Sequence, residues 1–78
     1  MMIKVKLFAS FREIAKSDYI ELELNGKPTY GDIVRGIAIR LGVDPQEIKL
    51  LVNDEPAKLD AGIEDYQKII AFPPVAGG

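Results

Sequence analysis

Apolar and polar positions alternate at the start of the chain. Ile3, Val5 and Leu7 are separated by Lys4 and Lys6, and Phe8 continues the run. Period two predicts a half-buried strand over residues 3–8. Phe8 falls on the polar side of that alternation, which predicts cover on both faces at the strand's end. Ser10-Phe11-Arg12-Glu13 fits a capping box: the Ser10 hydroxyl accepts from the Glu13 amide, and the Glu13 carboxylate reaches back to the Ser10 amide. A short helix over 11–16 follows, with Phe11, Ile14 and Ala15 on one face. Residues 19–24 alternate again, Ile20, Leu22 and Leu24 against Glu21 and Glu23, and Asn25-Gly26 marks a turn. The helix between these two strands is too short for a parallel crossover, so they pair antiparallel.

From Thr29 the period changes. Ile33, Val34, Ile37, Ala38 and Leu41 form one helical stripe, with Thr29 as the opening cap and Asp32 complementing the helix N-terminus. Gly42 closes the helix in the left-handed C-terminal position. Gly31 and Gly36 weaken it locally, each by up to about 1 kcal/mol relative to Ala, so it relies on packing against the sheet. Asp44-Pro45 caps a short helical turn. Lys49–Val52 reads as a strand, Asn53-Asp54-Glu55 as a turn, and 57–59 as a short edge strand beside Pro56. Residues 68–72 form the last strand; it is apolar on both faces, which predicts a central position. One sheet with its helices on one face is an α+β plan. Its compact solution is a mixed five-stranded sheet gripping the long helix, with the first and last strands parallel at the centre.

Composition narrows the chemistry. The 78 residues make one domain, and 47% of them are apolar, enough for a fold resting on burial alone. There is no cysteine and no histidine. That removes disulfides, thiolate zinc sites, and the commonest general base and metal ligand. Glu21, Glu23, Glu47, Asp54 and Asp60 show no metal-binding spacing, so no metal site is expected. No glycine-rich phosphate loop is present, and the chain is not expected to bind ATP unaided. Net charge of -2 argues against nucleic acid. No apolar run has the length of a membrane span, and the alternating N-terminus lacks a signal-peptide core. A cytoplasmic protein is expected.

The informative segment is Phe72-Pro73-Pro74-Val75-Ala76-Gly77-Gly78. Pro73 and Pro74 have no amide hydrogens and a fixed φ, so they end the strand and favour an extended exit. Residues 73–78 reach at most about 20 Å from the sheet. Gly77-Gly78, without side chains, suits a backbone threaded through a narrow channel in a partner. The Gly78 carboxylate is then the reactive group. Adenylation by ATP supplies a leaving group, after which a sulfur nucleophile yields a thiocarboxylate, or an amine an amide. The alternative is a frayed end of no function.

The opening Ile3-Lys4-Val5-Lys6-Leu7-Phe8-Ala9 followed by Phe11-Arg12-Glu13, the central Leu51-Val52-Asn53, and above all this tail resemble the small subunit of molybdopterin synthase. The resemblance covers essentially the whole chain. It implies a β-grasp, ubiquitin-like domain over 1–72 and a tail over 73–78. It also implies that an E1-like enzyme uses ATP to adenylate Gly78, which is then thiocarboxylated. The tail, with Phe72, Pro73, Pro74, Val75, Ala76 and Gly77 as binding residues, inserts into the large synthase subunit. There it donates sulfur for the dithiolene that holds molybdenum or tungsten. The carrier is not catalytic alone and binds no cofactor. Related thiamine-pathway carriers also end in Gly-Gly, but usually lack Pro-Pro and are somewhat shorter.

One stretch departs from that family. An Asp-Gly-Asp-Glu turn is common before the last strand. Here Asp65 matches, while Tyr66, Gln67 and Lys68 replace the rest, which puts the docking partner in question. Tyr is disfavoured at positive φ, so the turn must differ. Three function classes stay open: a sulfur carrier for molybdopterin synthesis or another pathway (thiamine, tRNA thiolation), a protein modifier forming isopeptide bonds through Gly78, and a plain interaction module. Phe8, Phe11, Leu59 and Phe72 are candidate docking residues whose default reading is core. Phe72 is the best exception because the strand becomes the tail there. Arg12 and Arg40 read as solvated charges.

Overall fold

The computed structural model describes residues 1–65 and 67–74. Its elements are β1 (Met2–Leu7), α1 (Ser10–Ala15), β2 (Tyr19–Glu23), α2 (Tyr30–Leu41), a 3-10 turn (Pro45–Glu47), β3 (Lys49–Val52), β4 (Glu55–Pro56) and β5 (Ile69–Phe72). The five strands form one sheet in the order β2-β1-β5-β3-β4. β1 pairs antiparallel with β2 and parallel with β5, and β5 pairs antiparallel with β3. The central parallel pairing of first and last strands thus follows the expectation. A mixed sheet of this order gripping one long helix is the ubiquitin-like β-grasp.

The alternation in each strand builds the core. Val5 and Leu7 of β1, Leu22 of β2, Leu50 of β3 and Ala71 of β5 bury against Ile33, Val34, Ile37 and Ala38 of α2. Each large aliphatic side chain removed from water contributes roughly 1.5–3 kcal/mol.

α2 starts and stops on its sequence signals. The Thr29 amide donates to Asp32 Oδ2 at 2.8 Å, and the Asp32 amide donates to Thr29 Oγ1 at 3.4 Å, a complete capping box. The Thr29 amide, and then the neighbouring Arg35 guanidinium, hold the Asp32 carboxyl below its usual value near 3.8. Gly42 ends the helix at φ 70, and its amide donates to the Ala38 carbonyl. Gly31 has a role beyond weakening the helix. Its amide donates to the Leu59 carbonyl at 2.8 Å, and a Cβ there would lie 3.0 Å from that oxygen. The missing side chain lets the 57–61 segment close over the start of α2.

The capping box expected at Ser10 does not form. Ser10 is already helical, the cap is Ala9, and no side chain caps the helix. The Phe8 amide donates to the Ala71 carbonyl, which keeps residue 8 extended along β5. The reversal therefore falls on Ala9, at φ 53 and ψ −131, a conformation L-residues avoid. The Arg12 amide finds the Ala9 carbonyl instead, at 3.1 Å. Only Phe11 of this short helix is buried; Ile14, expected on the same face, is 49% exposed. Ala9→Gly should relieve about 1–2 kcal/mol of backbone strain and lose about 0.4–1 to the freer unfolded chain. A net rise in melting temperature of a few degrees is expected; a fall would show that Ala9 is unstrained.

The edge strand also differs from expectation. It is Glu55–Pro56, not 57–59. Asn53 and Asp54 both adopt left-handed φ, 52 and 70, which makes a two-residue hairpin turn. Pairing therefore resumes at once, Val52 with Glu55 and Leu51 with Pro56. Pro56 itself lies in the strand, where an edge tolerates its missing donor.

Candidate functional site

Among the described residues, no helix covers the face of the sheet away from α2. Register places Tyr19, Lys6, Ile70, Leu51 and Pro56 in one row across it, from β2 to β4. The next row, toward the chain's exit, holds Phe72 opposite Lys49. Phe8 continues the open side of β1 beside them, and Lys6 Nζ lies 5.3 Å from the centre of its ring. Ile70 is buried yet lies outside the α2-facing core cluster. The result is a flat apolar strip with lysines on both sides, ending where β5 ends.

β5 stops at Phe72, which is half-buried. Pro73 is half-buried, Pro74 is exposed, and neither belongs to a strand. That matches what two missing amide donors dictate. Val75, Ala76, Gly77 and Gly78, the rest of the expected site, lie outside the described residues. The structure thus brings Phe72, Pro73 and Pro74 to the end of the central strand, at the border of the apolar strip.

The four candidate docking residues separate. Phe11 is core, 2% exposed. Phe8 is 38% exposed and joins Phe72 at the open face, so the cover expected on both sides is not formed by the described residues: its side chain lies on the face away from α2. Leu59 is exposed too, but lines a groove beside α2 with Val34 and Pro45, away from that face. Arg12 approaches Asp18 at 3.7 Å, and Arg40 donates to the Glu21 carbonyl. Ile70, Leu51, Lys6 and Lys49 are not among the site residues expected from the sequence. The available signal was the alternation of Ile70 and Phe72 with Ile69 and Ala71 in β5.

The unusual 64–68 turn has local structural tasks. Gln67 Oε1 accepts from the Tyr30 hydroxyl and from the Glu64 amide. The Lys68 amide donates to Asn53 Oδ1 at 2.9 Å, and its ammonium lies 2.8 Å from Asp54. That exposed ion pair adds at most about 1 kcal/mol. Tyr66, whose φ the expectation turned on, lies outside the described residues. Among the described residues, no group of three or more His, Cys, Asp or Glu is placed to hold a metal ion. Among them too, no helix is long and apolar enough to cross a membrane.

A β-grasp domain whose central strand runs out into a Pro-Pro tail defines a ubiquitin-like protein of the sulfur-carrier and small-modifier class. The chain belongs to the ThiS family, whose model matches residues 5–78. It is similar to small archaeal modifier protein 3 of Haloferax volcanii, 32% identical over 93 residues, with all of both chains covered. Among solved structures it is similar to small archaeal modifier protein 1 of the same organism, at 26% identity and a TM-score of 0.76, with all of both chains covered. It is also similar to a putative molybdopterin converting factor subunit 1 from Pyrococcus furiosus, at 28% identity and a TM-score of 0.77. That match covers 96% of this chain and 99% of the other.

Proposed function

We propose that this chain is a cytoplasmic sulfur carrier whose reactive group is the Gly78 carboxylate. One observation carries the reading. The central strand ends at Phe72, and the chain leaves it through Pro73 and Pro74 toward Val75-Ala76-Gly77-Gly78. The chemistry needs a partner but no side chain of the carrier. In an E1-like enzyme, a carboxylate oxygen of Gly78 attacks the α-phosphorus of ATP and pyrophosphate leaves. A sulfide-equivalent nucleophile then attacks the carbonyl carbon, AMP departs, and a thiocarboxylate remains. The finer reading is the small subunit of molybdopterin synthase. There the tail enters a large subunit and gives up its sulfur for dithiolene formation. Similarity to the Pyrococcus furiosus protein supports it.

A second reading is a protein modifier joined through Gly78 to lysines of other proteins. Similarity to the two Haloferax volcanii modifiers favours it. Intact-mass measurement after incubation with an E1-like enzyme, ATP and a sulfur source separates the two. Replacement of one C-terminal oxygen by sulfur is expected for the carrier. Conjugates on lysines of other proteins mark the modifier. An unchanged mass with every such enzyme would sink both.

A further inference from the structure

The sheet has two outer strands, β2 and β4. An outer strand turns a row of backbone donors and acceptors away from the sheet, a template for another strand. On β2 the ladder identifies that row. The Leu7 amide donates to the Asp18 carbonyl and the Leu24 amide to the Met1 carbonyl. Both bonds continue the register of β1 with β2. Hydrogen-bonded pairs alternate along an antiparallel ladder, so residues 18, 20, 22 and 24 turn their backbone groups to β1. Tyr19, Glu21 and Glu23 turn theirs outward.

Three of those six outward groups are taken by side chains of the chain itself. The Ser17 hydroxyl donates to the Tyr19 carbonyl at 2.8 Å and accepts from the Tyr19 amide at 3.2 Å. Arg40, on the last turn of α2, donates through Nη2 to the Glu21 carbonyl at 3.0 Å. Only the Glu21 amide and the two groups of Glu23 are left for an incoming strand. The exposed carboxylates of Glu21 and Glu23 deter one further. The β4 edge is closed differently. The Ala57 amide donates to the Leu50 carbonyl, so Pro56, one place along the ladder, faces outward and has no amide to offer.

From this pattern we infer that Ser17 and Arg40 close the outer edge of β2 to strand addition, and that without them it pairs with the same edge of a second copy of the chain. The occupant follows from the other edge. Pro56 withholds a donor from β4, so β2 can add only to β2. A strand paired with its own copy makes a two-fold contact that closes on itself, so association stops at a dimer instead of growing into a fibre.

The test is sedimentation velocity with amide hydrogen exchange by NMR, on the full chain at about 500 mM NaCl, where the carboxylates of Glu21 and Glu23 are screened. The wild type should be monomeric. Ser17→Ala with Arg40→Ala should form dimers and nothing larger, with a dissociation constant at least about tenfold below the wild type's, since three backbone groups become free to pair. Exchange at the Glu21 and Glu23 amides should then slow as concentration rises. Ser17→Thr with Arg40→Lys keeps a donor at each place and should remain monomeric. Lys27→Ala, which removes a like charge from the loop before α2, should do the same. Ser17→Ala alone should speed exchange of the Tyr19 amide several-fold, a readout that does not depend on the double variant folding. A double variant as monomeric as the wild type overturns the inference, as does an unchanged Tyr19 amide in Ser17→Ala. Association that leaves the Glu21 and Glu23 amides unprotected, or that Lys27→Ala reproduces, overturns it too, because another surface would then be responsible.

Discussion

Deleting Gly77 and Gly78 should abolish thiocarboxylate formation, by at least about a thousandfold, and leave thermal stability nearly unchanged. The first half follows from chemistry. Without Gly78 the terminal carboxylate retreats by two residues, roughly 7 Å of extended chain. An active site in a partner tolerates far less, since misplacement by about 1 Å already costs about a hundredfold. The new terminus also presents the Ala76 side chain where a narrow channel expects none. The second half follows from the fold. The core is made by residues 3–71, and β5 is complete at Phe72. Differential scanning calorimetry and intact-mass measurement on the same preparation decide it. A large loss of melting temperature would mean that the tail packs on the domain. Retained sulfur loading would mean that the reactive group lies elsewhere.

Leu7→Ala should cost about 3–4 kcal/mol, within the range for buried leucines. Leu7 is wholly buried in β1, opposite Ala71 of β5, where the two central strands meet. Its backbone is fixed on the other side by the Asp18 carbonyl, which accepts from its amide at 2.8 Å. Collapse around the missing side chain is thus restrained by two strands and a loop. A domain of this length has a total stability on the order of 4–12 kcal/mol. With no cysteine to form a compensating disulfide, the variant should lose between about a quarter and nearly all of that stability. Urea melts measure the loss. A cost below about 1 kcal/mol would contradict the packing described, and Leu7→Met, which conserves volume, should cost less than about 1.5 kcal/mol.

Much of this architecture was legible because period alone assigns faces. The stripe Ile33, Val34, Ile37, Ala38 specified α2 and its buried side, and the doubly apolar β5 specified a central strand. Thr29 with Asp32 specified the cap. The failures have local causes. At Ser10 the sequence matches a capping box, but a hydrogen bond from Phe8 to β5, a contact distant in sequence, moved the cap to Ala9. At Asn53-Asp54 two left-handed residues shortened the turn and advanced the edge strand. For the site, Phe72 and the two prolines are legible because missing amide donors act wherever they occur. The basic open face is not, since Lys6 and Lys49 are 43 positions apart and become flanks of one strip only through β5.

The placement of β5 also has a mechanical consequence. The strand that leads to the tail is hydrogen-bonded on both sides, parallel to β1 and antiparallel to β3. A pull applied at Pro74 along the axis of β5 would load both ladders in shear. The bonds must then slide together instead of unzipping one at a time, as they would if the tail left an edge strand such as β4. On the carrier reading, a tail held by a partner would be anchored at the point in the sheet most resistant to traction.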